Sequence, residues 1–246
     1  MWGTLPGVAY ETLADVYEWL VPESLLTPAG SAAALEPWLP TPPARALDCA
    51  CGTGVLAAGL AALGYDVVAT DACEAMVRRT RDRGVPAERR AWEQLAFEAE
   101  FDVVLCVGNS LTHAPGAAGR RAALARMAAA LRPGGALLVT SRNWERIRER
   151  GSGVEIDERL VERDGRRGLA VRSWTLAESD EEVSVLETGV ALLDGDEATL
   201  VTERLEFWPF TYEALLADLA AAGMTATHST YDPDADRYLV AAAATR

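Results

Sequence analysis

The chain contains no lysine; all 23 of its basic residues are arginine. That one absence excludes a Schiff-base lysine, a pyridoxal phosphate anchor and the lysine of a Walker A loop. Histidine is nearly as scarce, with His113 and His228 the two in 246 residues. A three-histidine metal centre is therefore impossible, nothing else has ligand spacing, and no metal is expected. The four cysteines give no framework, because Cys49 and Cys51 are two apart while Cys73 and Cys106 stand alone. They read as small buried residues of a reduced, cytoplasmic protein, with a C-x-C redox pair as the alternative. No apolar run reaches the ~18 residues of a membrane span, and no basic-then-apolar leader is visible, so neither a membrane segment nor a signal peptide is expected. Positive charge is in deficit, with a net charge of −14. Nucleic acid and anionic membrane surfaces are not attracted to such a chain and are not expected as partners.

Against these absences stands one dense stretch, Ala46-Leu47-Asp48-Cys49-Ala50-Cys51-Gly52-Thr53-Gly54-Val55-Leu56. It reads as a short strand, a glycine turn and the opening of a helix. Gly52 and Gly54 carry no Cβ, so a ligand can approach the backbone closely. The helix over about 55–63 aims its free N–H groups at that ligand, and Gly64 ends it. A second strand, 66–70, leads to Asp71, 19 positions after Gly52. There a β-α-β nucleotide site places a carboxylate on a ribose hydroxyl pair. Two ligands fit. Gly52-Thr53-Gly54-Val55-Leu56-Ala57 matches the dinucleotide pattern G-x-G-x-x-A, which points to an NAD-dependent oxidoreductase. The longer string Asp48-x-Ala50-Cys51-Gly52-Thr53-Gly54 resembles motif I of the class I S-adenosylmethionine (AdoMet) methyltransferases. In that family the leading acid and the glycine backbone hold the methionine end of AdoMet.

The rest of the chain is consistent with an α/β fold, Rossmann-like, with helices on both faces of a class I methyltransferase sheet and an inserted antiparallel β lid. Residues 1–44 read as an N-terminal helical cap, with helical spacing over 10–20 and a second short helix at 31–35. Residues 45–150 form the AdoMet-binding core. It includes a helix at 74–83, a weak strand near 87–92, the apolar strand Phe101–Val107, a helix at 120–131 and a strand at 136–141. Residues 151–208 alternate in period two, with turns at Asp164-Gly165 and Asp194-Gly195, and read as the lid. Within them, 155–206 carries 15 acids and 6 arginines, so −9 of the net charge sits there. That surplus is expected to favour cationic amines over anionic acceptors. Residues 209–246 give a helix at 212–222 and two closing strands.

Two further stretches are similar to the glycine N-methyltransferase group, namely Phe101 to His113 and Ser141-Arg142-Asn143-Trp144. The resemblance implies that Asn109 touches the acceptor amine, Arg142 grips its carboxylate, and Tyr17 sits near the sulfonium. It assigns Tyr17, Asp48, Ala50, Gly52, Gly54, Asp71, Ala72, Met76, Ala91, Trp92 and Val107 to AdoMet, with S-adenosylhomocysteine as product. Ala91 replaces the usual partner of the adenine amino group, and Trp92 can stack there instead. The arginine that binds the AdoMet carboxylate has no evident counterpart; Ser31 is nearest. Phe207 and Trp208 fall near one of that group's pocket tyrosines, which makes Trp208 a substrate candidate.

The chemistry asks for little else. Displacement on a sulfonium methyl needs alignment and exclusion of water. An amine acceptor needs no strong base, which suits a chain this poor in histidine and lysine. The expectation is an AdoMet-dependent enzyme acting on the amine nitrogen of an amino-acid-like small molecule, with Tyr17, Asn109 and His113 at the reacting centre. The alternatives are an O- or C-methyltransferase of a natural-product scaffold, in which His113 or Tyr17 serves as base, and a non-catalytic AdoMet-binding subunit. The sequence leaves the oligomeric state undetermined.

Overall fold

Residues 9–163 and 165–244 are described by the computed structural model. In chain order its strands are β1 Arg45–Asp48, β2 Asp66–Asp71, β3 Ala87–Arg89, β4 Phe101–Cys106, β5 Leu131–Arg142, β6 Gly153–Ile156, β7 Val161–Arg163, β8 Arg166–Thr175, β9 Ser184–Asp194, β10 Glu197–Phe207, β11 Met224–Ser229 and β12 Arg237–Ala244. The helices are α1 Pro28–Ala33, α2 Val55–Ala62, α3 Glu74–Asp82, α4 Gly116–Ala130, α5 Trp144–Arg150 and α6 Tyr212–Ala221.

Seven strands make one sheet in the order β11-β12-β5-β4-β1-β2-β3. β1 to β5 run parallel, and β12 and β11 close the edge antiparallel. Alternation along the strands sends successive side chains to opposite faces. Leu47, Val104, Leu137 and Val240 pack with Leu124, Met127, Leu215 and Leu219 of α4 and α6. Ala46, Val103, Leu105 and Leu138 pack with Leu56 and Leu60 of α2 and Val77 of α3. Both faces are thus covered by helices. Chain order reverses beside β1, where β2 lies to one side and β4 to the other. Open parallel sheets bind ligands in the crevice at such a point.

The second sheet is wholly antiparallel, in the order β10-β9-β8-β6, with β7 also on β8. Gly195 and Asp196 form the turn between β9 and β10. Of the expected turn at Asp164-Gly165, Asp164 lies outside the described residues, as do residues 1–8 of the N-terminal segment. An ion-pair network pins this part to the core. Buried Arg120 of α4 meets Asp218 of α6 at 2.8 Å and Asp180, before β9, at 3.2 Å. Removing one partner of a buried pair costs about 3–5 kcal/mol.

Two expectations need correction, and one helix has no counterpart among them. Residues 10–20 do not form a helix; they run as turns into a 3-10 turn at Tyr17–Leu20. The Glu203 carboxylate accepts the backbone N–H groups of Tyr10, Thr12 and Leu13, so a distant strand replaces the helical ladder. Leu13, Val16 and Trp19 then pack on Val190 and Leu192 of β9. β5 begins at Leu131, not Ala136, because Leu131 pairs with Phe101 before the register shifts past Arg132-Pro133-Gly134-Gly135. The residues after Asn143 form α5, which the arginine-rich spacing concealed; Asn143 caps it by accepting the Arg146 N–H. Among the described residues no helix is long and apolar enough to cross a membrane.

Candidate active site

β1 ends in Asp48, and the chain turns through Gly52 and Gly54 into α2. Both glycines have positive φ, +53° and +78°. They are needed for different reasons. A Cβ on Gly54 would lie 2.7 Å from the Thr80 Cα of α3, so Gly54 permits close packing. A Cβ on Gly52 would meet nothing nearer than Tyr17 Cε1 at 4.0 Å, so that glycine leaves room for a ligand. Asp71, at the tip of β2, braces the loop. Its carboxylate accepts the N–H of Gly52 and of Cys73, both at 2.9 Å. Each of its oxygens keeps a lone pair for a ribose hydroxyl. Burial pushes the Asp71 carboxyl up, against the pull of those backbone N–H groups.

Asp48 is the most informative residue of the loop. It is 1% exposed, and neither carboxylate oxygen has a hydrogen-bond partner. Burial pushes its pKa up to about 7; the Ala50 N–H, close by but outside hydrogen-bond geometry, pulls the other way, and the charge of Asp71 adds to the rise. A buried, unpaired carboxylate at a ligand loop is costly unless a cation or donor arrives to meet it. With the open cradle at Gly52, this arrangement fits the ammonium-bearing end of AdoMet.

A cavity of about 500 Å³ opens from this loop between the two sheets. Of the residues singled out in the sequence, Tyr17, Ser31, Asp48, Ala50, Gly52, Val107, Asn109, His113, Arg142 and Phe207 stand in its wall. Asp71, Gly54, Ala72, Met76, Ala91, Trp92 and Trp208 do not. Gly54 is turned into the α3 contact. Met76 is 1% exposed beneath the loop, in a cluster with Ala14 and Cys73. Ala72 is exposed, and its carbonyl accepts from Arg89. The Ala91 N–H is taken by the Gln94 side chain, and Trp92 donates its indole N–H to the Cys49 carbonyl at 2.8 Å. Trp208 lies off the cavity, because alternation along β10 turns Leu205 and Phe207 inward. Phe207, at 3% exposure, is the aromatic wall instead, packed on Trp144 and Trp174.

Asn109 is also spent differently from the expectation. Its Oδ1 accepts the Arg142 N–H at 3.0 Å and the Ser141 hydroxyl at 3.4 Å, and its Nδ2 donates to Thr112 Oγ1 at 3.1 Å. With its amide already engaged, Asn109 ties the loop after β4 to the end of β5 and so positions Arg142. The Arg142 guanidinium lies 5.1 Å from the Trp174 ring centroid. Burial, then the charges of Arg237 and Arg172, lower its pKa to about 10, so it stays cationic at neutral pH.

His113 carries a fixed tautomer. Its Nδ1 faces the Glu206 carbonyl at 3.0 Å and must therefore bear the proton. Its Nε2 accepts the Tyr10 hydroxyl at 3.2 Å. Burial lowers the imidazole pKa and raises both tyrosines, Tyr10 and Tyr17, which meet edge to face. Tyr10, Arg172 and Arg237 have no signal in the sequence. Each reaches the wall through contacts with residues far along the chain. Contrary to the expected acidic lid, the second sheet lines the cavity with Arg172, Trp174, Leu186, Thr188, Leu205 and Phe207 and no acid. The four cysteines are free and buried. Cys49 Sγ turns toward the Leu105 carbonyl and Cys51 Sγ toward Thr80, so they form no redox pair. Among the described residues no group of three or more His, Cys, Asp or Glu could hold a metal ion.

A parallel sheet with a glycine loop at its switch point and an acid at each adjacent strand tip defines a Rossmann-like ligand-binding domain. Residues 46–135 match the family model of a methyltransferase domain. The glycine/sarcosine N-methyltransferase of Parasynechococcus marenigrum (strain WH8102) is 38% identical over 116 residues, 44% of this chain and 41% of that one. The chain thus spans less than half the length of the first curated relatives it matches. Solved structures extend the likeness in fold. CalS10, an amino pentose methyltransferase from Micromonospora echinaspora, superposes with a TM-score of 0.73 over 100% of both chains at 24% identity. The CcbJ methyltransferase from Streptomyces caelestis gives 0.77 over 97% of this chain and 99% of that one at 21% identity. The whole chain thus shares the fold of solved AdoMet-dependent methyltransferases, and the methyltransferase-domain match lies within its residues 46–135.

Proposed function

We propose that this chain transfers the methyl group of AdoMet to the amine nitrogen of a small acceptor that carries an anionic group. When bound, AdoMet supplies an electrophilic methyl on a sulfonium. The chain's part is to hold, align and dry the reactants. Asp48 is suited to the cationic methionine end and Asp71 to the ribose. Arg142, stacked on Trp174, is suited to a carboxylate of the acceptor through two parallel hydrogen bonds.

The observation that favours nitrogen is the Tyr10–His113 contact. The Nε2 lone pair of His113 is already engaged. Burial makes the ring a weaker base than usual and leaves Tyr10 protonated. A hydroxyl acceptor would need its proton removed during attack, and this pair is poorly suited to that. A neutral amine attacks first and sheds its proton afterwards. The same contact defines the second reading, in which Tyr10 passes a hydroxyl proton to His113 and the product is an ether.

Tyr10→Phe separates the two. Under the amine reading the variant methylates amines within a few-fold of wild type. Loss of about 100-fold or more, on the scale of a removed general base, would show that Tyr10 and His113 carry a required proton and would favour oxygen.

A further inference from the structure

Arg142 ends β5 and Arg237 opens β12, and the two are direct partners in the antiparallel register. Directly opposed residues put their side chains on one face of the sheet. Arg172 comes from the other sheet, on β8, two residues before Trp174 and therefore on the same face of its strand. All three arginines stand in the wall of the one cavity. Two sheets that pair nowhere with each other thus deliver three guanidinium groups to one place.

Their counter-charges are incomplete. Arg172 meets Asp157 at 3.2 Å and also donates to the Leu20 carbonyl at 3.3 Å, which holds it at the seam between the N-terminal segment and β8. Among the described residues no carboxylate lies within 4.0 Å of Arg142 or Arg237. By residue area Arg237 is exposed and Arg142 half-buried, yet desolvation lowers the affinity of both guanidinium groups for their protons. The mutual effect of the three is visible in Arg142, whose affinity for its proton is lowered by Arg237 and by Arg172. AdoMet brings a net positive charge to the same cavity. Like charges at close range in a partly dry site repel strongly unless an anion enters with the ligand.

We propose that the acceptor carries two oxyanion charges and that Arg172 and Arg237 read the second of them, the first lying on Arg142. This rests on the reading of the site as that of an AdoMet-dependent transferase acting on an anionic amine. The shared chemistry is a doubly charged anion, supplied either by a second carboxylate or by a phosphate ester. Arg172 thereby makes the antiparallel sheet a specificity element. A one-carboxylate amine such as a simple amino acid leaves Arg237 without an anionic partner and Arg172 with Asp157 alone, and is a poor acceptor.

Calorimetric titration of the full chain, with and without saturating S-adenosylhomocysteine, tests this with acetate, succinate and inorganic phosphate as probes. The expected result is that succinate or phosphate binds at least tenfold more tightly than acetate. Arg172→Gln removes that preference while S-adenosylhomocysteine affinity changes less than twofold. Arg237→Gln, at an exposed position with no ion pair to lose, reduces the preference without touching the fold and serves if Arg172→Gln does not fold. A tighter succinate points to a dicarboxylic acceptor and a tighter phosphate to a phosphorylated one. Equal binding of acetate and both dianions, or a preference that survives both variants, overturns the proposal. Failure of S-adenosylhomocysteine to bind would overturn the transferase reading instead, and the titrations without it would still decide the anion subsite.

Discussion

The Tyr10 hydroxyl and His113 Nε2 are 3.2 Å apart, and the hydroxyl donates, because the opposite ring nitrogen holds its proton against the Glu206 carbonyl. Burial keeps this imidazole neutral below its ordinary pKa of 6.5. In the unfolded chain the same ring takes up a proton as pH falls through that value. Wherever the unfolded state binds more protons, stability rises with pH. His113 therefore costs stability progressively as pH drops below about 6.5. Thermal melts of wild type and His113→Gln between pH 5 and 8 should show a gap that changes with pH only below that point, wild type losing ground as acid is added. A gap constant across the range would mean that His113 is solvated and titrates alike in both states.

Asp48 works in the opposite direction. Its carboxyl is pushed up to about 7 from 3.8, so between these values the folded chain binds more protons than the unfolded one. Its contribution to stability declines as pH rises across that window. At pH 8 the buried, unpaired charge is a burden, and Asp48→Asn should be more stable than wild type by on the order of 1–3 kcal/mol. The same variant should bind AdoMet more weakly by about 1–3 kcal/mol, since a charged partner is lost. Chemical denaturation with calorimetry reads both. A variant that is less stable at pH 8 would show that the carboxylate is satisfied within the protein.

Gly52 and Gly54 should fail differently. Gly54→Ala forces a methyl group into Thr80 at positive φ, so it should destabilise the fold by about 2–4 kcal/mol. Gly52→Ala adds the φ strain alone, about 1–2 kcal/mol, but its methyl group occupies open cavity and should weaken AdoMet binding at least tenfold. Melting temperature and AdoMet affinity, measured on both, should separate in that pattern. Equal effects of the two on both quantities would remove the distinction between packing glycine and ligand glycine.

Arg142→Lys keeps the charge and loses both the planar fork and the stacking on Trp174. The expected outcome is a KM for the anionic acceptor raised about tenfold, the loss of roughly one charged hydrogen bond, with AdoMet affinity nearly intact. Unchanged steady-state kinetics would show that Arg142 does not hold the acceptor and free the acceptor from carrying an anion there.

The loop at the end of β1 is legible in the sequence because its signals are local. Asp48, Gly52, Gly54 and Asp71 belong to one strand–turn–helix–strand unit whose spacing is fixed by the chain itself. The opposite wall of the cavity is not local. The helical spacing of 10–20 gives way to Glu203, 193 residues from Tyr10, which supplies the hydrogen bonds a helix would have made. Arg237 meets Arg142 only once the register of β12 on β5 is known, and Arg172 arrives from a separate sheet. Trp208 and Phe207 differ by one residue, which in a strand is the difference between two faces. The acid count of 155–206 is a property of composition, whereas the cavity wall is set by which alternate residues turn inward.

The most direct test of the central claim is product analysis after incubating the purified full chain with methyl-labelled AdoMet and a matched panel of anionic amines, the corresponding hydroxy compounds and neutral amines. The account predicts that label enters the anionic amines as N-methyl groups, with S-adenosylhomocysteine formed in equal amount. Label that enters only hydroxy compounds, or neutral amines as readily as anionic ones, would contradict it.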